Sequence, residues 1–267
     1  MIEVVAHRGA GQRHVLPHAP PENTAEAVAF AWAQGARAAE VDVQLTRDGA
    51  VVCFHDQRTA RTSDVDRAVR ESTLAELQAL DVGLWKGQPG LRVPLLSDVL
   101  AAVPAHARLY IELKFPPAIV SPLAEVLAGL DPGRFPLITF GLDTAVAAKE
   151  ALPEHDVLLL LEFAADYPAG RWIARAHQGP DWAPTTLPGD VDSVLRWVQE
   201  RGLDGIDSSF VMPPSLPRRL AEADLRCAVW TVNDVAMARE LVAQGVPVIT
   251  TDREAELRAG LGGCDAG

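Results

Sequence analysis

Short apolar runs alternate with helical patterns along almost the whole chain, and this alternation constrains the fold more than any other feature. Runs rich in Val, Ile and Leu occupy 2–6, 38–43, 50–54, 108–113, 136–140, 156–161, 203–207, 226–231 and 246–250. Helical patterns occupy 24–34, 73–80, 97–103, 119–129, 143–151, 191–201, 214–223 and 234–244. Strand, helix and strand in this order read as parallel strands joined by helical crossovers. Near-continuous apolar strands imply a sheet covered on both faces. An open doubly wound sheet and a closed (β/α)8 barrel both satisfy this. Nine runs in 267 residues favour the barrel, with one run to spare. The spare run is 50–54. Only residues 44–49 separate it from 38–43, too few for a crossover of about ten or more residues. Asp48-Gly49 is also a hairpin signal. The expected fold class is α/β, a single TIM-type (β/α)8 barrel with a β-hairpin extension after strand 2. If Leu45 pairs with Ala50, His55 lies opposite Glu40. Boundary signals include Ser97 before Asp98-Val99-Leu100 and Asn233-Asp234 before an amphipathic run that stops at Gly245. Gly35 and Gly202 follow their helices as left-handed stops.

Composition excludes several classes. With 48% hydrophobic and 22% charged residues the chain is globular rather than disordered. It reads as one domain over 1–267 with no sizeable insertion domain. No apolar stretch approaches a membrane span, and residues 1–7 lack the basic region of a secretory signal, so a cytoplasmic location is expected. The net charge of −12 repels nucleic acid and anionic bilayers, so neither nucleic acid nor stable membrane association is expected. A phosphate-bearing substrate would need local cations to overcome that field. The oligomeric state stays open. Cys53, Cys227 and Cys264 are far apart and outside any C-x-x-C spacing, which points to free thiols in a reducing compartment.

Barrels of this type gather their function at the C-terminal ends of the strands. Here those ends carry His7-Arg8-Gly9, Glu40 and Asp42, His55-Asp56, Glu112 with Lys114 just beyond, and Trp230 running into Asn233. Glu40 and Asp42, spaced i and i+2, leave one face of their strand. Facing solvent or pairing with Arg would explain them singly. Glu112 sits inside an apolar run and needs a partner. Three carboxylates on neighbouring strands make an oxygen-rich site suited to Mg2+ or Ca2+ rather than zinc. His7 alone would read as a structural hydrogen-bonder. With His55 in the same kind of position, the two imidazoles can serve as general acid and base near neutral pH. Arg8 and Lys114, ordinary surface residues when seen singly, can bind phosphoryl oxygens at the rim. His14, His18, His106, His155 and His177 read as solvated.

The ordered set His7-Arg8-Gly9, Pro21-Glu22-Asn23-Thr24, Glu40-Val41-Asp42-Val43, Thr46-Arg47-Asp48-Gly49, Val51 to Asp56, Pro94-Leu95, Glu112-Leu113-Lys114, Trp230-Thr231-Val232-Asn233 and Ile249-Thr250-Thr251-Asp252 resembles the glycerophosphodiester phosphodiesterase family, compact bacterial type. The resemblance runs from residue 2 to about 254. It implies a TIM barrel, a divalent cation on Glu40, Asp42 and Glu112, an acid–base pair at His7 and His55, phosphate contacts from Arg8 and Lys114, and Trp230 as a wall against the glycerol or alcohol portion. It implies hydrolysis of small-molecule glycerophosphodiesters to sn-glycerol 3-phosphate and an alcohol. Asn23 would cap the first helix, and Glu22 would take a metal or support role. The Pro- and His-rich loop 10–21 is longer than the family's usual link, and Thr139-Phe140 stands where Ser-Phe is common. Two rival readings are a lysophospholipase D or phosphatidylinositol-phospholipase-C-like activity on lipid phosphodiesters and a catalytically silent phosphoester-binding protein. The first would need a hydrophobic rim; retention of all five acid–base and carboxylate residues argues against the second.

Overall fold

The computed structural model describes residues 2–9, 16–114, 116–166, 171–179, 182–187 and 190–262, without the side chains of Asp166 and Arg171. Its strands, in chain order, are β1 (Glu3–Ala6), β2 (Ala38–Leu45), β3 (Val51–Cys53), β4 (Arg108–Leu113), β5 (Leu137–Thr139), β6 (Val157–Asp166), β7 (Arg171–Gln178), β8 (Ala183–Leu187), β9 (Gly205–Ser209), β10 (Arg226–Trp230) and β11 (Val248–Thr251). The main helices are α1 (Ala25–Ala33), α2 (Leu74–Gln78), α3 (Leu96–Ala101), α4 (Val120–Leu127), α5 (Leu142–Ala151), α6 (Val191–Glu200), α7 (Leu216–Glu222), α8 (Val235–Ala243) and α9 (Glu254–Gly260). Eight strands pair in parallel in the order β1, β2, β4, β5, β6, β9, β10, β11, and β11 pairs back to β1. The sheet closes into the expected barrel and has no free edge along that path.

Two apolar layers hold it. Outward-facing strand residues such as Val41, Leu109, Ile111 and Ile206 pack with Leu123, Ala145, Val198 and Leu220 from the helices. Inward-facing residues Val5, Tyr110, Ile138, Leu158, Leu160 and Ala228 fill the lumen. Leu109 and Leu123 are fully buried, and truncating either to Ala would cost about 2–5 kcal/mol. A smaller cluster around Val52, Phe54, Leu77 and Val93 anchors the segment between β3 and α3. The helix starts have identifiable caps. The Thr24 side chain accepts from the Ala27 N–H, Thr73 and Glu76 form a capping box, and Asp190 and Asp234 cap α6 and α8. Gly35, Gly202 and Gly245 adopt positive φ after their helices, as expected.

Several expectations need correction. β3 does form a hairpin with β2, but Leu45 pairs with Val51 and Val43 with Cys53. The Thr46 hydroxyl donates to Asp48 at 2.7 Å and accepts from the Ala50 N–H at 2.9 Å, which keeps Ala50 in the turn and shifts the pairing by one residue. It is therefore Phe54 whose N–H meets the Asp42 carbonyl, and His55 lies just past the strand. A one-residue slip exchanges the two faces of a strand. Ser97 lies inside α3; Leu95 occupies the cap position and Asp98 accepts from its N–H. β6 continues past the barrel into an antiparallel ribbon with β7 and β8, and neither ribbon strand nor α9 was expected. His155 is buried, with its Nδ1 2.9 Å from the Phe135 carbonyl oxygen, and His177 lies on β7. Both differ from their solvated reading, while His18 and His106 are exposed. His14, Cys264 and much of the long loop after Gly9 lie outside the described residues. Among the described residues no helix is long and apolar enough to cross a membrane.

Candidate active site

β1 ends directly at the mouth, and the next three residues form a tight turn. Arg8 and Gly9 both have positive φ. Gly9 is required twice over, because a Cβ there would sit 2.7 Å from the Val28 nitrogen. The turn aims His7 and Arg8 into the mouth. His7 Nδ1 lies 2.8 Å from Asp252 Oδ1, and its Nε2 accepts from Arg8 Nε at 3.2 Å. Asp252 is itself held by Asn233, whose Nδ2 donates to Oδ2 at 2.8 Å and whose Oδ1 accepts from the Asp252 N–H.

Glu40, Asp42 and Glu112 are all buried, and one oxygen from each lies within 4.8 Å of the others. Register brings them there, since Asp42 on β2 pairs directly with Glu112 on β4. Asn23, in the left-handed region, clamps Asp42: its Nδ2 donates to Asp42 Oδ2 at 2.7 Å and its Oδ1 accepts from the Asp42 N–H. The helix cap is Thr24, so Asn23 positions a carboxylate instead of capping α1. Lys114 Nζ donates to Glu112 at 2.6 Å and stands 3.3 Å from Asp42. Arg8 lies 3.3 Å from Asp42, and its N–H donates to Glu40. Burial works against ionising Asp42, yet Lys114, His55 and Arg8 hold it well below the usual range. Burial and the neighbouring carboxylates push Glu40 well above it. Glu112 is pushed up to about 7 by burial and Asp42, against the opposing charge of Lys114. Among the described residues Glu40 Oε1 has no hydrogen-bond partner, and Asp42 Oδ1 has only the Lys114 ammonium 3.3 Å away. Buried carboxylate oxygens that repel one another and are left short of donors suit a hard cation.

His55 has the same support as His7. Its Nδ1 lies 2.5 Å from Asp56 Oδ1. Gln44 fixes the loop by donating to the carbonyls of Phe54, His55 and Asp56. Arg61 donates to Asp56 at 2.6 Å and to both oxygens of Glu22, and Glu22 also accepts from Arg8 at 2.7 Å. A continuous polar chain thus runs from His7 through Arg8, Glu22, Arg61 and Asp56 to His55. Burial lowers the His55 pKa, the Asp42 charge and the Asp56 hydrogen bond oppose this, and Lys114 and Arg8 add to the lowering.

These groups open into a cavity of about 570 Å3. Its far wall is aromatic. Phe140 meets Trp230 and His177 edge-on at 5.5 Å, and His177 stacks on Trp182. The Trp182 ring comes so close to Gly141 that a Cβ there would be 2.7 Å from it. The Asp207 carboxyl lies on the floor.

Residues 7–256 match the glycerophosphoryl diester phosphodiesterase family. The chain belongs to that family. It is 31% identical over 181 residues to a glycerophosphodiester phosphodiesterase of Bacillus subtilis, a match covering 60% of each chain. It is 29% identical over 279 residues to a probable glycerophosphodiester phosphodiesterase 1 of Mycobacterium tuberculosis, covering 97% of this chain and 92% of that one. Its fold resembles that of an Oleispira antarctica phosphodiesterase solved with the product sn-glycerol-3-phosphate, with a TM-score of 0.77, 24% identity, and coverage of 97% and 96%.

In this family member all eight residues singled out from the sequence stand in or beside one mouth. His7, Arg8, Glu40, His55, Glu112, Lys114 and Trp230 line the cavity, and Asp42 lies just beneath. Glu22 is absent from the carboxylate trio and braces two arginines. Sequence reasoning assigned no role to Asp56, Asp252, Arg61 or Asp207. Asp56 and Asp252 close motifs already in view; Asp56, next to His55, was a usable signal, whereas Asp252 meets His7 only through barrel closure. Arg61 has one partner five residues away, Asp56, and a second, Glu22, that only the fold brings to it, while Asp207 ends the strand-like run 203–207 and could have been read with the other strand ends.

Proposed function

We propose that the protein hydrolyses glycerophosphodiesters to sn-glycerol 3-phosphate and an alcohol such as choline or ethanolamine. The observation that carries this reading is the pairing of two aspartate-braced histidines with three converging buried carboxylates at one barrel mouth. We assign the chain one barrel domain and one such site. Glu40, Asp42 and Glu112 would hold Mg2+ or Ca2+. When bound, the cation supplies Lewis-acid withdrawal of charge from a nonbridging phosphate oxygen. Arg8 and Lys114, both kept charged by their carboxylate neighbours, stabilise the remaining phosphoryl charge.

His7 acts as general base. Asp252 accepts a hydrogen bond from Nδ1–H, so the Nε2 lone pair is free to take a proton once the nucleophile replaces Arg8 as its partner. The nucleophile is water, or the neighbouring glycerol hydroxyl with a cyclic phosphate as intermediate. His55 acts as general acid and protonates the leaving alkoxide. The phosphodiester anion offsets the two cations that help to depress the His55 pKa, which favours the protonated imidazole at the moment it is needed. Water adds one hydrogen to the alcohol and the hydroxyl to phosphorus, so the reaction balances. The test is turnover of glycerophosphocholine by the intact protein before and after EDTA treatment and desalting. Cation-dependent release of choline and sn-glycerol 3-phosphate is expected. Full activity without a cation would remove the metal from the scheme, and no turnover with any cation would remove the function.

A further inference from the structure

Asp207 has no part in this acid–base or cation chemistry, yet it occupies a costly position. It lies on β9, diametrically opposite β2 in the ring of eight strands. It is 1% exposed and lines the cavity, and among the described residues its Oδ1 has no hydrogen-bond partner. Ile138 and Leu160 make the cavity lining around it apolar, with Ala228 packed beside them. Trp230 Nε1 donates weakly at 3.4 Å, but to the backbone carbonyl of Asp207 and not to its carboxyl. An unpaired buried carboxyl opposes folding, so its partner is to be sought in a ligand.

We propose that the Asp207 carboxyl binds the glycerol hydroxyls of the substrate, setting glycerol on the floor and the alcohol toward the aromatic rim. The inference rests on the phosphodiesterase reading above and deepens it. Glycerol is the one part of these substrates that brings hydroxyls to the site whatever alcohol it is esterified to. In either protonation state a carboxyl accepts from a hydroxyl. Burial, with a smaller contribution from Glu112, pushes Asp207 well above the usual range, and the neutral acid can donate as well. The cavity is also lined by Phe140, His177 and Trp182, which offer flat ring faces to alcohols of differing shape, and by Glu162 and Arg175. Gly141 lets the Trp182 ring close that wall.

The experiment compares Asp207→Asn and Asp207→Leu with the wild-type protein on two diesters. Glycerophosphocholine carries the hydroxyls, and bis(p-nitrophenyl) phosphate carries none. Asp207→Leu should lose about 10- to 100-fold in kcat/KM on glycerophosphocholine, the size of an unmade hydrogen bond to a buried site. It should stay within about threefold of wild type on the aryl diester. Asp207→Asn keeps an acceptor and a donor and should lose less. Asp207→Leu should melt no lower than wild type, since it removes a stranded polar group. Equal losses on both diesters, or no loss on glycerophosphocholine, would overturn the proposal. A second readout holds even without turnover. Wild type should bind sn-glycerol 3-phosphate more tightly than inorganic phosphate by calorimetry, and Asp207→Leu should lose that preference. Preference retained in Asp207→Leu sinks the Asp207 assignment alone. A wild-type protein that cleaves the aryl diester but no glycerophosphodiester sinks the functional reading itself, and this inference with it.

Discussion

Replacing Asp252 by Asn should disable His7 through its tautomer while leaving its position intact. Asn233 leaves no choice of orientation. Its Oδ1 accepts from the Asp252 N–H at 2.8 Å and from Thr251 Oγ1 at 3.0 Å, so its Nδ2 must point at Asp252 Oδ2. An amide at 252 therefore has to present oxygen to Asn233 and its NH2 to His7. His7 Nδ1 must then accept, which moves the ring proton to Nε2. There it faces the Arg8 Nε–H, donor against donor across 3.2 Å, and the lone pair needed by a base is gone. The chemical loss is of the order of 10³ in kcat, or about 4 kcal/mol of transition-state stabilisation. The structural loss is one charge-assisted hydrogen bond, about 2 kcal/mol, or a fall in Tm of roughly 4–8 °C. Steady-state turnover of glycerophosphocholine measures the first, thermal unfolding the second, and 15N chemical shifts of the His7 ring the tautomer. A folded Asp252→Asn protein with kcat within about threefold of wild type would refute the reasoning.

Two further outcomes are expected. His7→Ala and His55→Ala should each lower kcat by about 10²–10⁴ on glycerophosphocholine without unfolding the barrel. On a diester with a p-nitrophenol leaving group His55→Ala should recover and His7→Ala should not, and the reverse pattern would exchange their roles. Cation binding should be pH-dependent, because Glu112, pushed up to about 7, and Glu40, also raised, must lose protons to serve as ligands. A carboxyl raised in the folded state favours the protonated protein. Glu112 therefore costs the metal-free protein stability as pH rises from 4.5 to about 7, and a bound cation restores it. Below about pH 7 the apparent cation affinity should rise about tenfold per unit for each proton displaced, the Glu112 contribution ending near 7, and an affinity that is flat from about pH 5.5 to 7.5 would contradict this.

Much of this protein is legible along the chain, for reasons that are local. Runs such as Val157–Leu161 and Cys227–Trp230 are apolar on both faces, and that pattern alone calls for a sheet covered on both sides. The short span from Gln44 to Gly49 excludes a helix, so the hairpin after β2 could be read before its register. The eight residues singled out as site candidates end strands or sit in short motifs, and closing a parallel barrel brings every strand end to one mouth. What the chain could not show depends on contacts between distant segments. The hairpin register turned on the Thr46 hydroxyl reaching Asp48 and the Ala50 N–H, side-chain hydrogen bonds that hydrophobic pattern does not encode. The ribbon of β7 and β8 mixes Arg, His and Thr with Trp and Ile, and it gains its strand character from pairing with an overlong β6. Asn23 looks like a helix cap in sequence and becomes a clamp on Asp42 only because β1 and β2 lie side by side. His177 looks like a loop residue and becomes part of the cavity wall through its stack on Trp182. Asp207 is one acid among many in an acidic chain. Only the closed barrel, by burying it on an apolar floor across from the carboxylates, leaves it without a partner.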